Sequence, residues 1–118
     1  MSEWEELRDR TKQFAIRVVR MFRSLPATPD AQVIGKQVLR AGTSVAANYR
    51  AVCRARSKAE FVAKMGVVVE EADETVFWME LLVDTGIVPH QRMDVLLQEA
   101  NELLSIFVAS RRTARSRP

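Results

Sequence analysis

An all-α fold, an antiparallel up-down-up-down four-helix bundle, is what this sequence predicts, and three observations carry the reading. Apolar residues recur at three- and four-residue spacing through four long segments, the period of a helix that buries one face. The chain has only 4 Gly and 4 Pro in 118 residues, and Pro26, Pro29 and Pro89 fall between those segments or at their starts. No segment alternates with the two-residue period of a strand. Short connections make successive helices antiparallel neighbours.

The first helix is expected from about Glu3 to Ser24, with Trp4, Leu7, Thr11, Phe14, Val18, Met21 and Leu25 along one heptad-like seam. Leu25-Pro26 ends it, and Thr28-Pro29-Asp30 reads as an N-cap, a proline at the first helical position and an acid in the first turn. A second helix from about Pro29 to Arg54 follows. Ser57-Lys-Ala-Glu60 has the form of a capping box, in which the Ser57 hydroxyl and the Glu60 carboxylate each satisfy an orphan amide. The third helix therefore spans about Lys58 to Asp84, with Phe61, Met65, Val68, Ala72, Val76, Met79 and Val83 as its core stripe and Gly86 at a left-handed C-cap. A fourth runs from about Pro89 to Arg112. The bundle is thus expected over residues 1–112, with 113–118 as a flexible basic tail.

The second helix carries three stripes. Ile34, Val38, Ala41, Val45, Tyr49 and Val52 are apolar, and Gln37, Arg40, Ser44 and Asn48 form a polar stripe beside them. Gly35, Gly42, Ala46 and Cys53 make a strip with almost no side chain, where a second backbone could approach closely. Mid-helix glycines cost roughly 1 kcal/mol each relative to alanine, so tight packing is the expected compensation. An antiparallel hairpin closing near Arg56 puts Arg40 opposite about Asp73, within reach of Glu70, Glu71 or Glu74. Glu71 is the expected partner.

Composition narrows the class. With 47% hydrophobic content the chain fits one compact domain. No apolar run approaches the roughly 20 residues of a membrane span, and the acidic start, Met-Ser-Glu-Trp-Glu-Glu, is unlike a signal peptide, which makes a cytoplasmic protein the expectation. Cys53 stands alone, so no disulfide framework is expected, and a buried inert thiol is its simplest role. The net charge of +3 conceals an asymmetry: residues 1–64 carry +7 and residues 65–118 carry −4.

The phrase Gln37-Val-Leu-Arg40-Ala-Gly-Thr-Ser44-Val-Ala-Ala-Asn48, with Phe61, the acidic Val69-Glu-Glu-Ala-Asp-Glu74 and the hydrophobic run to Ile87, closely resembles the bacterial four-helix-bundle proteins associated with 23S rRNA intervening sequences. The resemblance spans nearly the whole chain and implies a ring-like homo-oligomer, typically a pentamer. It also implies kinship with accessory proteins of diversity-generating retroelements, which form a basic barrel and work with a reverse transcriptase and nucleic acid. Many members carry a Glu-Gly pair shortly after the asparagine, where this chain has Tyr49-Arg50-Ala51, a departure that adds positive charge.

Three classes of function can be weighed on the residues. Enzymatic chemistry lacks its parts: the lone histidine, His90, sits in a turn, no Glu-x-x-His pair exists for a di-iron site, and no phosphate loop or nucleophile elbow appears. No cofactor or metal is expected. Nucleic-acid binding rests on Arg50, Arg54, Arg56, Lys58 and Lys64 around the second turn, extended by Arg115 and Arg117; a ring would repeat these groups. With Trp4 and Trp78 placed in apolar stripes, recognition of backbone rather than bases is expected. A scaffold or adaptor role rests on Phe77, Trp78 and Leu81, apolar surface beyond the needs of one core stripe and therefore an expected subunit interface. A non-enzymatic protein that binds RNA or DNA, or acts through a protein partner such as a reverse transcriptase, is the resulting expectation.

Overall fold

A computed structural model describes residues 1–118 as four α-helices and no strands: α1 (Glu3–Arg23), α2 (Pro29–Val52), α3 (Lys58–Asp84) and α4 (His90–Ser116). The first three boundaries lie within two residues of those expected. The fourth helix continues through Ser116, four residues past its expected end at Arg112, because Thr113-Ala-Arg-Ser contains no residue that breaks a helix.

Local chemistry sets the helix starts. The Ser2 hydroxyl accepts from the Glu5 amide at 3.3 Å, and the Ser57 hydroxyl accepts from the Glu60 amide at 3.0 Å. The second half of the expected capping box is replaced, since the Glu60 carboxylate pairs with Lys64 at 3.1 Å and Arg56 at 3.6 Å. Two cations four residues away on either side outcompete a single backbone amide. Thr28 makes no side-chain cap; Asp30 instead accepts from the Ala31 amide at 2.9 Å. After α3, Gly86 takes φ +77°, the left-handed conformation expected of it.

Adjacent helices are antiparallel, as shown by the residues that meet. Gly42 faces Val18 and Gly35 faces Leu25 between α2 and α1; Arg40 meets Glu71 and Glu74 between α2 and α3; Arg10 meets Glu99 between α1 and α4. The core between them holds Phe14, Val18, Val38, Val45, Met65, Val68, Met79, Leu82, Met93, Leu103 and Phe107, all nearly inaccessible. Tyr49 belongs to it as well, its ring 5.7 Å from that of Phe107. The glycines of α2 are covered by side chains of α1 and of the turn after it rather than by their backbone: a Cβ at Gly42 would lie 2.9 Å from both Val18 methyls, and one at Gly35 would lie 2.5 Å from Leu25 Cδ1 and 3.2 Å from Phe22.

One expectation about burial is corrected. Trp4 does not join the seam of α1 but is 49% exposed, because it sits in the first turn, beyond the depth of the core. Of the surplus apolar residues, Phe77 is 54% exposed, while Trp78 and Leu81 are half-buried. The Trp78 indole donates to Glu74 Oε1 at 3.1 Å and packs edge-on against Phe77 at 4.9 Å.

No helix is long and apolar enough to cross a membrane.

Candidate nucleic-acid interface

Folding gathers charge that is scattered in the sequence. The N-terminus of α1, the C-terminus of α2, the N-terminus of α3 and the C-terminus of α4 all lie at one end of the bundle. Residues 1–12, 46–66 and 106–118, which build that end, hold twelve of the eighteen Lys and Arg but only five of the fifteen Asp and Glu. One end of an elongated molecule, 50 Å in its long dimension, is therefore strongly basic, and the remainder is acidic.

Few of these cations are neutralised. Arg56 and Lys64 share Glu60, whose carboxyl they hold below its ordinary range, Lys64 contributing most through its hydrogen bond. Arg10 turns away to Glu99 and Glu102. Arg8, Lys12, Arg50, Arg54, Lys58, Arg111, Arg112, Arg115 and Arg117 make no ion pair with a carboxylate.

Six of them line two grooves. Between α1 and α2, a groove of about 510 Å³ is lined by Arg8, Asp9, Lys12, Ala46, Ala47 and Arg50. Ala46 continues the small-residue strip and Ala47 adjoins it, so two methyl groups lie among three cations and one carboxylate, Asp9. Between α3 and α4, a groove of about 440 Å³ is lined by Val69, Val108, Arg111, Arg112, Arg115 and Ser116. Arg111 is pinned there: its Nε donates to the Val62 carbonyl at 3.1 Å, and its guanidinium lies over Gly66, where a Cβ would approach it to 3.1 Å. Lys58 Nζ donates to the Arg117 carbonyl, so the start of α3 and the end of α4 touch.

Among the residues singled out from the sequence, the structure places Arg50 in the first groove and Arg115 in the second. Arg54, Arg56, Lys58, Lys64 and Arg117 lie on the surrounding basic end. Arg8 and Lys12 were missed. They sit in a segment whose pattern reads as a core seam, and only the antiparallel packing of α1 on α2 brings them beside Arg50.

The polar stripe of α2 lies along the α2–α3 seam. Arg40 Nη1 is 3.2 Å from Glu71 Oε2, and Arg40 Nη2 is 2.6 Å from Glu74 Oε1. Glu74 is held below the ordinary carboxylate range first by the Trp78 indole and then by Arg40. Asn48 Nδ2 donates to the Ser44 carbonyl at 2.8 Å, and Gln37 is half-buried one turn before Arg40. With Arg40 48% exposed, this is a surface clamp joining two helices. Burial raises the Cys53 and Tyr49 side-chain pKa values, so neither is a ready nucleophile.

An antiparallel four-helix bundle with one cationic end and no strands defines an all-α protein class. Residues 5–109 match the 23S rRNA-intervening sequence protein family, and the chain belongs to that family. It is also similar to a protein of unknown function from the S23 ribosomal protein family of Bacteroides thetaiotaomicron VPI-5482. The two share 29% identity and a TM-score of 0.86, over 94% of this chain and 99% of that one. No curated protein matches the chain.

Proposed function

We propose that this protein is a non-enzymatic, cytoplasmic nucleic-acid-binding protein that engages the phosphate backbone of RNA or DNA through its basic end, and that it does so as a homo-oligomer, a pentamer on the resemblance described above. The observation that carries the reading is the set of cations at that end with no carboxylate partner, supplied by all four helices. Charges already paired have little to gain from a phosphate, whereas unpaired ones release the counterions of the nucleic acid on binding. A cyclic assembly would repeat both grooves and convert weak individual interactions into avid binding.

The test is electrophoretic binding of purified protein to structured RNA, single-stranded DNA and duplex DNA across a salt series. Log affinity should fall linearly with log salt. Replacing the unpaired Arg50, Arg54 and Lys58 by glutamine should flatten that slope by about 0.7–0.9 for each phosphate that is no longer neutralised. Absence of binding by the wild type at low salt would refute the reading.

A second reading is favoured by the exposed Phe77 beside Trp78 and Leu81: an adaptor ring that acts through a protein partner such as a reverse transcriptase. Light scattering on Phe77→Glu addresses it. A lowered mass with unchanged helicity assigns this face to self-assembly, and an unchanged mass leaves it free for another protein.

A further inference from the structure

We propose that Trp4 and the groove between α1 and α2 together form a site for single-stranded nucleic acid, with the indole stacked on a base and Arg8, Lys12 and Arg50 holding the adjoining phosphates. This rests on the reading that the basic end binds nucleic acid, and it adds the form of nucleic acid selected.

The first observation is the exposure of Trp4. A tryptophan left 49% exposed in the first turn of a helix contributes little to the core. Its position is what matters: it lies one helical turn before Arg8, whose guanidinium carbon is 5.6 Å from the centre of the indole ring. Arg8 therefore touches both parts of the site, the aromatic surface and the groove. The second observation is the groove itself, where three cations face a single carboxylate, Asp9, above a floor of Ala46 and Ala47. A floor without long side chains leaves room for a sugar-phosphate chain to lie against the protein.

Trp4 to Lys12 spans eight residues, about 12 Å along the helix axis, enough for a short run of nucleotides. Carboxylates impose a direction on it. Trp4 itself borders a second groove, between α1 and α4, that also holds Glu3, Glu6 and Arg10; there Arg10 is already paired with Glu99 and Glu102, so the strand's phosphates run from Trp4 through Arg8 along the Arg8–Lys12 side. Between its ends a duplex keeps the faces of its bases stacked on one another and offers none to an indole, whereas unpaired bases along a single strand can turn a face to it. The site consequently discriminates by strandedness, not by sequence.

The experiment uses the full-length protein and a fluorescein-labelled oligothymidylate of 12 nucleotides, its abasic analogue and a 12-base-pair duplex, all at low salt. Trp4→Ala is expected to weaken oligothymidylate binding about fivefold to a hundredfold, the range for one stacked base. Its salt dependence should be unchanged, and Trp4→Phe should retain most of the affinity. The same Trp4→Ala substitution should leave abasic and duplex binding unaltered. Arg8→Gln combined with Lys12→Gln should reduce the salt slope for all three probes. Equal affinities of wild type and Trp4→Ala for oligothymidylate would overturn the inference while leaving backbone binding intact, as would an equal loss for all three probes. If the wild type binds none of the probes, the broader reading falls with it. Far-ultraviolet circular dichroism on each variant establishes that the bundle is retained.

Discussion

Gly42→Ala puts the packing of α1 on α2 to a direct test, because two opposing effects of similar size decide its sign. In a solvated helix the substitution stabilises by about 1 kcal/mol, as alanine loses less backbone entropy than glycine. Here the new Cβ would stand 2.9 Å from both Val18 methyls and 3.3 Å from Val18 Cβ. Val18 is fully buried and, being β-branched, cannot rotate away without leaving its preferred well. Relief requires α1 to move or Val18 to adopt a poor rotamer, an overpacking cost of about 1–3 kcal/mol. The net expectation is a destabilisation of up to about 2 kcal/mol where helix propensity alone would give a gain. The assay is urea unfolding at several protein concentrations, which separates folding from assembly. Val18→Ala supplies the second leg of a cycle: in that background both methyl contacts are gone and only the 3.3 Å approach to the Cβ remains, so Gly42→Ala should recover most of its gain of about 1 kcal/mol. An equal rise in the urea midpoint in both backgrounds would show that Gly42 is not packed closely against Val18.

The clamp between α1 and α4 makes a pH prediction. Glu99 is held below the ordinary carboxylate value of 4.5, first by its hydrogen bond from Arg10, at 2.6 and 2.8 Å. A depressed folded pKa means that the stabilisation is present above pH 4.5 and is lost as pH falls from there through the folded value. Glu99→Gln should therefore flatten the acid limb of a midpoint-against-pH curve and cost about 1–2 kcal/mol at pH 7, less than a fully buried pair because Arg10 is 38% exposed; an unchanged acid limb would show that another carboxylate governs it. Arg40→Met should cost less than about 1 kcal/mol, since its pairs with Glu71 and Glu74 lie at the surface, and a loss of about 3 kcal/mol or more, as for a buried pair, would contradict that placement.

What could be read from the sequence alone were features determined over one or two helical turns, and those fixed by a short hairpin. The capping serine at Ser57, the left-handed Gly86 and the core stripes of α2 and α3 all follow from interactions at i to i+3 or i+4 or from the helical period. The meeting of Arg40 with Glu71 was also legible, because the turn between α2 and α3 is short enough to set the register of the pair by counting. Beyond that range the sequence is silent. Arg8 and Lys12 become part of a groove with Arg50 only once α1 lies antiparallel on α2, and Arg10 finds Glu99 only when the last helix closes against the first, 89 residues away. Trp4 satisfies the apolar period yet stays exposed, since a periodic pattern specifies a direction around the helix and not how far along its axis the core extends. Fourteen residues later Val18 keeps the same face and is fully buried, because there the other helices reach it.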